Sequence, residues 1–139
     1  MKNNNTAVHI LLAEDDIDDR FFFEKALKLI PIETKLTTVN DGEKLMEYLA
    51  NNQLNLPDII FLDISMPRKT GIECLQEIKE NEVVSKVPIA MLSTSYTKDD
   101  AFENGIKSML IRMGAERFIR KPNSIEELKT ILEEILIAI

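Results

Sequence analysis

The segment PDIIFLDISMPRKTG, residues 57–71, decides the fold of this chain. Its apolar run Ile59–Leu62 ends at Asp63, and a loop with Pro67 and Gly71 follows at once. An apolar run of strand length bounded by turn residues is typical of a parallel strand that is covered on both faces. Open α/β sheets place their chemistry at the carboxyl ends of such strands, which is where Asp63 stands.

A second apolar run, Ile10–Ala13, ends in the acidic cluster Glu14-Asp15-Asp16. Carboxylates at two strand ends make a site for a hard divalent cation, because such cations prefer oxygen ligands. With a metal ion bound, one of these carboxylates could accept a phosphoryl group. The two segments together predict a metal-dependent site at one edge of a sheet.

Strand-length apolar segments alternate with helix-period segments five times along the chain. This alternation predicts one α/β domain, a parallel sheet with helices on both faces and right-handed crossovers. We expect residues 8–139 to form the domain and residues 1–7 to be a disordered polar tail, with no second domain after the last helix. The predicted strands are Val8–Ala13, Thr34–Val39, Asp58–Leu62, Ile89–Ser93 and Arg117–Arg120, and the predicted helices are 16–29, 42–51, 71–81, 98–113 and 124–138.

The composition of the chain excludes several classes of protein. Its 139 residues carry a net charge of −7 without a densely basic stretch, which disfavours direct nucleic-acid binding. No apolar run approaches the roughly 20 residues of a membrane-spanning helix, and the polar N-terminal residues do not form a signal peptide. The single cysteine, Cys74, fits a reducing compartment and is expected to be a small apolar filler. These features predict a cytoplasmic protein.

Polar side chains follow four of the predicted strands, at the point where each strand ends. The carboxyl ends of parallel strands share one edge of a sheet, so these side chains are expected to converge in a functional cleft although they are far apart in sequence. The residues concerned are Glu14, Asp15, Asp63, Ser93 and Lys121.

Four motifs, in this order, resemble the response-regulator receiver domains of two-component signalling. Residues 10–19, ILLAEDDIDD, are similar to the first strand and acidic pair of that family, and residues 57–71 are similar to its phosphoacceptor strand and loop. Residues 88–93, PIAMLS, resemble the strand that ends in the switch hydroxyl, and residues 118–122, FIRKP, resemble the strand with the switch aromatic residue and the Lys-Pro step. The resemblance covers residues 8–138. It implies a flavodoxin-like, doubly wound sheet of strand order 2-1-3-4-5, in a stand-alone, chemotaxis-receiver-like regulator.

The resemblance also implies which residues hold the metal ion and the phosphoryl group. Asp63 would take a phosphoryl group from a phosphohistidine, a transfer that depends mainly on positioning and charge neutralisation. Glu14, Asp15, Asp63 and the backbone carbonyl of Ser65 would bind Mg²⁺. A sparse ligand set of this kind suits Mg²⁺, which keeps several of its waters.

The switch residues are implied in the same way. Lys121 would pair with Asp63 before transfer and with a phosphoryl oxygen afterwards, and the peptide bond before Pro122 is expected to be cis. Ser93 would hydrogen-bond another phosphoryl oxygen, and Thr94 would do so if the strand register were one residue off. Phe118 would turn inward when the loop after Ser93 moves toward the phosphoryl group.

A regulator of this kind implies protein partners rather than substrates. The phosphodonor would be a histidine kinase or a histidine phosphotransfer protein, and an unidentified downstream protein would read the modified surface. The chain would phosphorylate itself from such a donor and lose the group slowly, without acting as a turnover enzyme.

Three alternatives rest on the same sequence. A small Mg²⁺-dependent phosphohydrolase of the haloacid dehalogenase type needs a second carboxylate two residues after the nucleophile, where this chain has Ser65. A flavin-binding domain on the same architecture needs a phosphate loop after the first strand, where this chain is acidic. A receiver-shaped binding module that works without phosphorylation is the third alternative.

One segment departs from the family pattern. Ser93 and Lys121 lie 28 positions apart, more than is usual in similar receivers. The segment 96–113 must therefore contain a longer loop or a longer helix, and Gly105 could break that helix.

Two apolar features on the predicted surface are not explained by the site. In the first helix Phe22 and Phe23 are expected to face the sheet, and Phe21 is expected to face the solvent. Phe21 would then be either a lone exposed aromatic residue or a contact for a kinase or phosphotransfer helix. In the last helix Ile137–Ile139 extend the apolar character past the inward stripe, so a homodimer through this helix is an alternative to a frayed terminus.

Overall fold

A computed structural model describes residues 7–94 and 100–139, and within them a five-stranded parallel sheet has the strand order β2-β1-β3-β4-β5. This confirms the predicted flavodoxin-like, doubly wound architecture. Residues 1–6 of the expected tail and residues 95–99 of the long segment lie outside the described residues. The strands are β1 (Val8–Ala13), β2 (Thr34–Val39), β3 (Ile59–Asp63), β4 (Ile89–Ser93) and β5 (Arg117–Arg120), and the α-helices are α1 (Ile17–Lys28), α2 (Gly42–Asn51), α3 (Gly71–Glu80), α4 (Asp100–Arg112) and α5 (Ile125–Ile137).

Strand β3 begins and ends one residue later than the sequence predicted. The carboxylate of Asp58 accepts a hydrogen bond of 2.8 Å from the backbone N–H of His9, so this residue precedes the regular ladder. At the other end Asp63 pairs with Leu92 of β4 and belongs to the strand. The backbone of Asp63 is therefore fixed by the sheet rather than by a loop.

Side-chain caps mark where four of the helices begin, namely α1, α2, α3 and α5. The carboxylate of Asp16 accepts a hydrogen bond from the Asp19 N–H at the start of α1, and Asp41 caps α2 in the same way. Thr70 and Glu73 form a reciprocal capping box at the start of α3, and Ser124 caps α5. Short polar side chains of this kind satisfy N–H groups that have no partner inside the helix.

Helix α4 is continuous from Asp100 to Arg112, so a break of the helix at Gly105 was wrong. Gly105 is exposed, and the added Cβ of another residue would meet no atom within 4 Å. Burial of Leu110, with Ile106 packed against the same core, holds the helix to the sheet and outweighs the weak helix propensity of glycine.

The sheet separates two layers of apolar side chains. Helices α1 and α5 cover one face, where Phe23 packs edge-on against Phe61 with ring centroids 5.0 Å apart. Helices α2, α3 and α4 cover the other face, and Cys74 is fully buried there as expected. Phe21 is 55% exposed while Phe22 and Phe23 pack inward, which confirms the prediction for the three phenylalanines.

None of the helices in the described ranges is long and apolar enough to cross a membrane.

Candidate functional site

Three carboxylates meet at the carboxyl edge of the sheet. Glu14, Asp15 and Asp63 each offer an oxygen atom, and these atoms all lie within 4.8 Å of one another. Glu14 and Asp63 are only 2% and 3% exposed, whereas Asp15 is exposed. The cluster therefore has a buried floor and a side that is open to water and to a ligand.

Strand register brings these residues together across 49 positions of sequence. Strands β1 and β3 are neighbours, and Ala13 pairs with Leu62. The next residue of each strand, Glu14 and Asp63, consequently stands at the same level of the sheet. The backbone N–H of Glu14 still donates to the Val39 carbonyl oxygen at 3.0 Å, which fixes its backbone beside β2.

The loop after β3 is tightly packed on the site. The backbone N–H of Ser65 donates to Oδ1 of Asp63 at 3.3 Å, and the Gly71 N–H donates to the Ile64 carbonyl oxygen at 2.9 Å. A Cβ on Gly71 would lie 2.2 Å from the carbonyl oxygen of Asp63, a distance that no side chain tolerates. The loop thus holds Ser65, whose carbonyl was predicted as a metal ligand, directly beside Asp63.

Lys121 reaches into the cluster from the end of β5. Its Nζ lies 2.6 Å from Oε1 of Glu14, 2.9 Å from Oδ2 of Asp19 and 3.5 Å from Oδ2 of Asp63. The expected pairing with Asp63 is present, but it is the longest of the three. The expected cis bond before Pro122 was wrong, because the described residues contain no cis peptide bond and the trans form already brings the ammonium to all three carboxylates.

Burial and crowding of like charges shift the acid–base properties of the site. Burial raises the pKa of Glu14 to about 8, and the adjacent Asp63 adds to this shift, while Lys121 opposes it. Burial alone would lower the pKa of Lys121, but its hydrogen bonds to Glu14 and Asp19 and the charge of Asp63 raise it above its usual range. Lys121 is therefore a permanent cation in a site with a surplus of carboxylates.

Asp19 is a site residue that the sequence analysis did not single out. It lies in the first turn of α1, and its contact with Lys121 spans 102 positions of sequence. No local pattern singles it out, because Asp19 reaches the site only through the placement of the first turn of α1 over the sheet edge.

The predicted switch residues lie on the neighbouring strands, with Ser93 and Thr94 at the end of β4 and Phe118 near the start of β5. Ser93 ends β4, and its Oγ donates to the backbone carbonyl oxygen of Thr94 at 3.3 Å. Thr94 follows and is exposed. Phe118 is half-buried against the layer formed by α2, α3 and α4. The backbone N–H of Lys121 donates to the Ser93 carbonyl oxygen at 2.8 Å, which links the hydroxyl-bearing strand end to the lysine.

The donor set suits a small, hard divalent cation. All side-chain donors are carboxylate oxygens on neighbouring strand ends, and the exposed side at Asp15 leaves room for the waters that Mg²⁺ retains. Burial and the adjacent Asp63 raise the pKa of Glu14, and a nearby cation would favour its charged form. The residues present therefore fit Mg²⁺.

Comparison with known proteins gives the same assignment. Residues 10–133 match the response regulator receiver domain. The chain is 30% identical over 142 residues to the two-component response regulator ARR15 of Arabidopsis thaliana, and the aligned region covers 96% of this chain and 65% of ARR15. It is 35% identical over 95 residues to the response regulator Rcp1 of Synechocystis sp., and the aligned region covers 66% of this chain and 65% of Rcp1. The chain spans less than two thirds of the length of each of these relatives.

Solved structures agree over the whole fold. The phosphorylated cyanobacterial phytochrome response regulator RcpA superimposes with a TM-score of 0.75 at 30% identity, covering 94% of this chain and 91% of RcpA. The Mn²⁺-bound form of Rcp1 superimposes with a TM-score of 0.74 at 27% identity, covering 91% of this chain and 90% of Rcp1. With the strand order, the carboxylate cluster and the matched range in agreement, the chain belongs to the response regulator receiver domain family.

Proposed function

We propose that this receiver is a Mg²⁺-dependent phosphoacceptor in which Asp63 takes a phosphoryl group from a phosphohistidine of a histidine kinase or a histidine phosphotransfer protein. The observation that carries the proposal is the meeting of Glu14, Asp15 and Asp63 at one sheet edge, with the ammonium of Lys121 in contact with Asp63. The phosphorylated structure of RcpA and the Mn²⁺-bound structure of Rcp1 support it.

In the proposed reaction an oxygen of Asp63 forms a bond to phosphorus while the P–N bond of the phosphohistidine breaks and the imidazole leaves. Bound Mg²⁺ would neutralise charge on the phosphoryl oxygens, as metal ions do in phosphoryl transfer generally. Glu14, Asp15, Asp63 and the carbonyl of Ser65 would hold it. Sheet pairing and the tight β3–α3 loop keep the Asp63 carboxylate in place, so the acceptor needs little reorganisation.

Lys121 and the strand-end hydroxyls complete the proposed phosphoryl site. Lys121 would donate to one phosphoryl oxygen, and Ser93, or Thr94 in its place, would donate to another. A phosphoryl group adds about −1.5 to −2 charges at pH 7, which draws donors toward it. The backbone link from Lys121 to Ser93 would carry this pull to β4 and β5, where Phe118 reports it to a partner-facing surface.

The remaining parts of the proposal concern the molecule as a whole. The receiver domain spans residues 8–139 and works in the cytoplasm, in keeping with its single buried cysteine. It is a switch read by a downstream protein rather than a turnover enzyme, because Ser65 stands where a phosphohydrolase of the haloacid dehalogenase type has its general acid. Contact between two copies through α5, where Ile137 is 69% exposed, is part of the same proposal.

The test is labelling by acetyl phosphate with and without Mg²⁺, followed by intact mass measurement and hydroxylamine treatment, which cleaves acyl phosphates. The wild type should gain one phosphoryl group only with Mg²⁺, Asp63→Asn should gain none, and Asp18→Asn should behave as the wild type. Asp18 is an exposed acid of α1 and so controls for the loss of one charge near the site.

Two results would contradict the proposal. A folded wild type without any modification would leave a receiver-shaped binding module as the alternative. Continuous hydrolysis of a phosphomonoester such as p-nitrophenyl phosphate, dependent on Asp63, would identify a phosphohydrolase instead.

A further inference from the structure

We propose that Asp19 is a positioning residue that competes with the phosphoryl group for Lys121 and thereby sets how readily Asp63 is modified. This inference rests on the proposed function. Asp19 is not a member of the carboxylate cluster that could hold a metal ion, and its side chain contacts the ammonium of Lys121.

The contacts of Lys121 show that its donors are occupied before any phosphoryl group arrives. An ammonium has three N–H donors, and here three carboxylates surround it. Glu14 and Asp19 hold it at 2.6 Å and 2.9 Å, while Asp63 lies at 3.5 Å. The acceptor therefore has the weakest hold on the lysine that it needs.

Both partners of the Asp19–Lys121 contact are fixed by their backbones. The N–H of Asp19 donates to the capping carboxylate of Asp16 at 3.0 Å, which sets the first turn of α1. Lys121 is tied to β4 through the Ser93 carbonyl oxygen. A cavity of about 40 Å³ lies beside the pair, lined by both residues and mainly by apolar side chains such as Phe22.

Asp19, rather than Glu14, is the carboxylate that would compete with the phosphoryl group for Lys121 when a cation is bound. A divalent cation held by Glu14 would compete for its oxygens and so free one donor of Lys121. Asp19 lies outside the cluster and keeps its hold. When Asp63 is modified, Asp19 either gives up its hydrogen bond to Lys121 or retains it at the expense of a phosphoryl oxygen, and its negative charge also repels the phosphoryl group. Each of these effects weakens the modified state.

The test compares binding of beryllofluoride, a phosphoryl mimic, in the presence of saturating Mg²⁺ for the wild type, Asp19→Asn, Asp19→Glu and Asp18→Asn. Asp19→Asn should bind roughly three- to tenfold more tightly than the wild type, the effect of one partly exposed charged hydrogen bond. Asp18→Asn removes the same charge from the same turn and should change affinity much less. Asp19→Glu restores the carboxylate and should return the affinity toward that of the wild type.

A second readout detects the lysine directly. The side-chain ammonium of Lys121, observed by ¹H–¹⁵N NMR without any phosphodonor, should shift and exchange its protons faster in Asp19→Asn but not in Asp18→Asn. Normal wild-type binding of beryllofluoride with equal affinity for Asp19→Asn, or an unchanged Lys121 signal, would overturn the inference alone. If Asp19→Asn shows the Lys121 response but neither it nor the folded wild type binds beryllofluoride, both the inference and the proposed function would be overturned.

Discussion

Two carboxylates of the site, Glu14 and Asp63, are almost fully buried, and within residues 7–94 and 100–139 one ammonium, that of Lys121, lies within reach of both. Burying charge is unfavourable unless it is paired, and one lysine cannot neutralise two buried carboxylates together with Asp19 and the exposed Asp15. Burial first, and then the adjacent Asp63, raises the pKa of Glu14. The site is thus poorly balanced by its own residues and well suited to an added cation.

Cys74 shows what burial does to an ionisable group that has no role at the site. It is fully buried in α3, and burial raises the pKa of its thiol to about 12. The thiol should therefore react with a disulfide reagent at pH 8 only when the protein unfolds. We expect slow labelling of the native protein and fast labelling in urea, and fast native labelling would contradict the burial of this side chain.

The same shift predicts how stability changes with pH. Below the pKa of the unfolded thiol, the thiol is neutral in both states and its contribution to folding stability is fully present. As pH rises from that pKa toward the raised pKa of the folded thiol, only the unfolded thiol ionises, so the unfolding free energy falls. Between about pH 8 and pH 10 the wild type should lose roughly 1–2 kcal/mol more unfolding free energy than Cys74→Ala. Urea unfolding of both proteins at each pH measures this difference, and equal losses would contradict it.

At the scale of residues the sequence predicted four positions well, and it failed at one for a physical reason. Glu14, Asp15, Asp63 and Lys121 follow strand ends, and parallel strands bring their ends together whatever the details of packing. Asp19 lies on a helix instead. Its contact depends on the rotation of α1 over the sheet and on a residue 102 positions away, which periodicity does not encode.

At the scale of elements, the junction between β3 and α3 does most to shape the site. The capping box of Thr70 and Glu73 starts α3, and Gly71 lies against the Asp63 backbone. The position of the acceptor and the start of the helix are therefore coupled through one residue that has no side chain.

Substitutions at two glycines test this coupling. Gly71→Ala would bring its Cβ to 2.2 Å from the Asp63 carbonyl oxygen and should cost about 2 kcal/mol or more, with weaker Mg²⁺ binding. Gly105→Ala adds a methyl group to an open position inside α4 and should stabilise the protein by about 0.5–1 kcal/mol, with Mg²⁺ binding unchanged. Urea unfolding and Mg²⁺ titration distinguish them, and a neutral Gly71→Ala would refute the packing argument.

Most element boundaries could be predicted within two residues, because caps and breakers are local signals. Asp16, Asp41, Thr70 and Ser124 cap their helices at the predicted joints. Strand β3 was displaced by one residue because its ends are set by partners in other strands. The continuity of α4 through Gly105 depended on the burial of its apolar face, which also lies outside local sequence.

At the scale of the whole molecule, cation binding should be visible as stability. A ligand that binds only the folded state stabilises it by about 2.7 kcal/mol at one hundred times its Kd. Relief of the crowded carboxylates gives Mg²⁺ this selectivity, since the cluster joins β1 to β3 and exists only in the folded sheet. We expect the Tm to rise with MgCl₂ but not with KCl at equal ionic strength.

Asp15→Asn tests whether this rise comes from the carboxylate cluster, because Asp15 is exposed and its loss should leave the fold intact. The variant should lose most of the rise in Tm with Mg²⁺. An equal rise in the variant would show that Mg²⁺ acts elsewhere on this acidic protein.

The two apolar layers on either side of the sheet determine how far the effect of a core substitution spreads. They form separate clusters, one with Phe23 and Leu132 and the other with Leu75 and Leu110. Core substitutions need compensation mainly from side chains that they touch. A substitution in one layer should therefore leave the packing of the other layer largely unchanged, so the helices on one side of the sheet can vary in sequence without displacing the carboxylates at its edge.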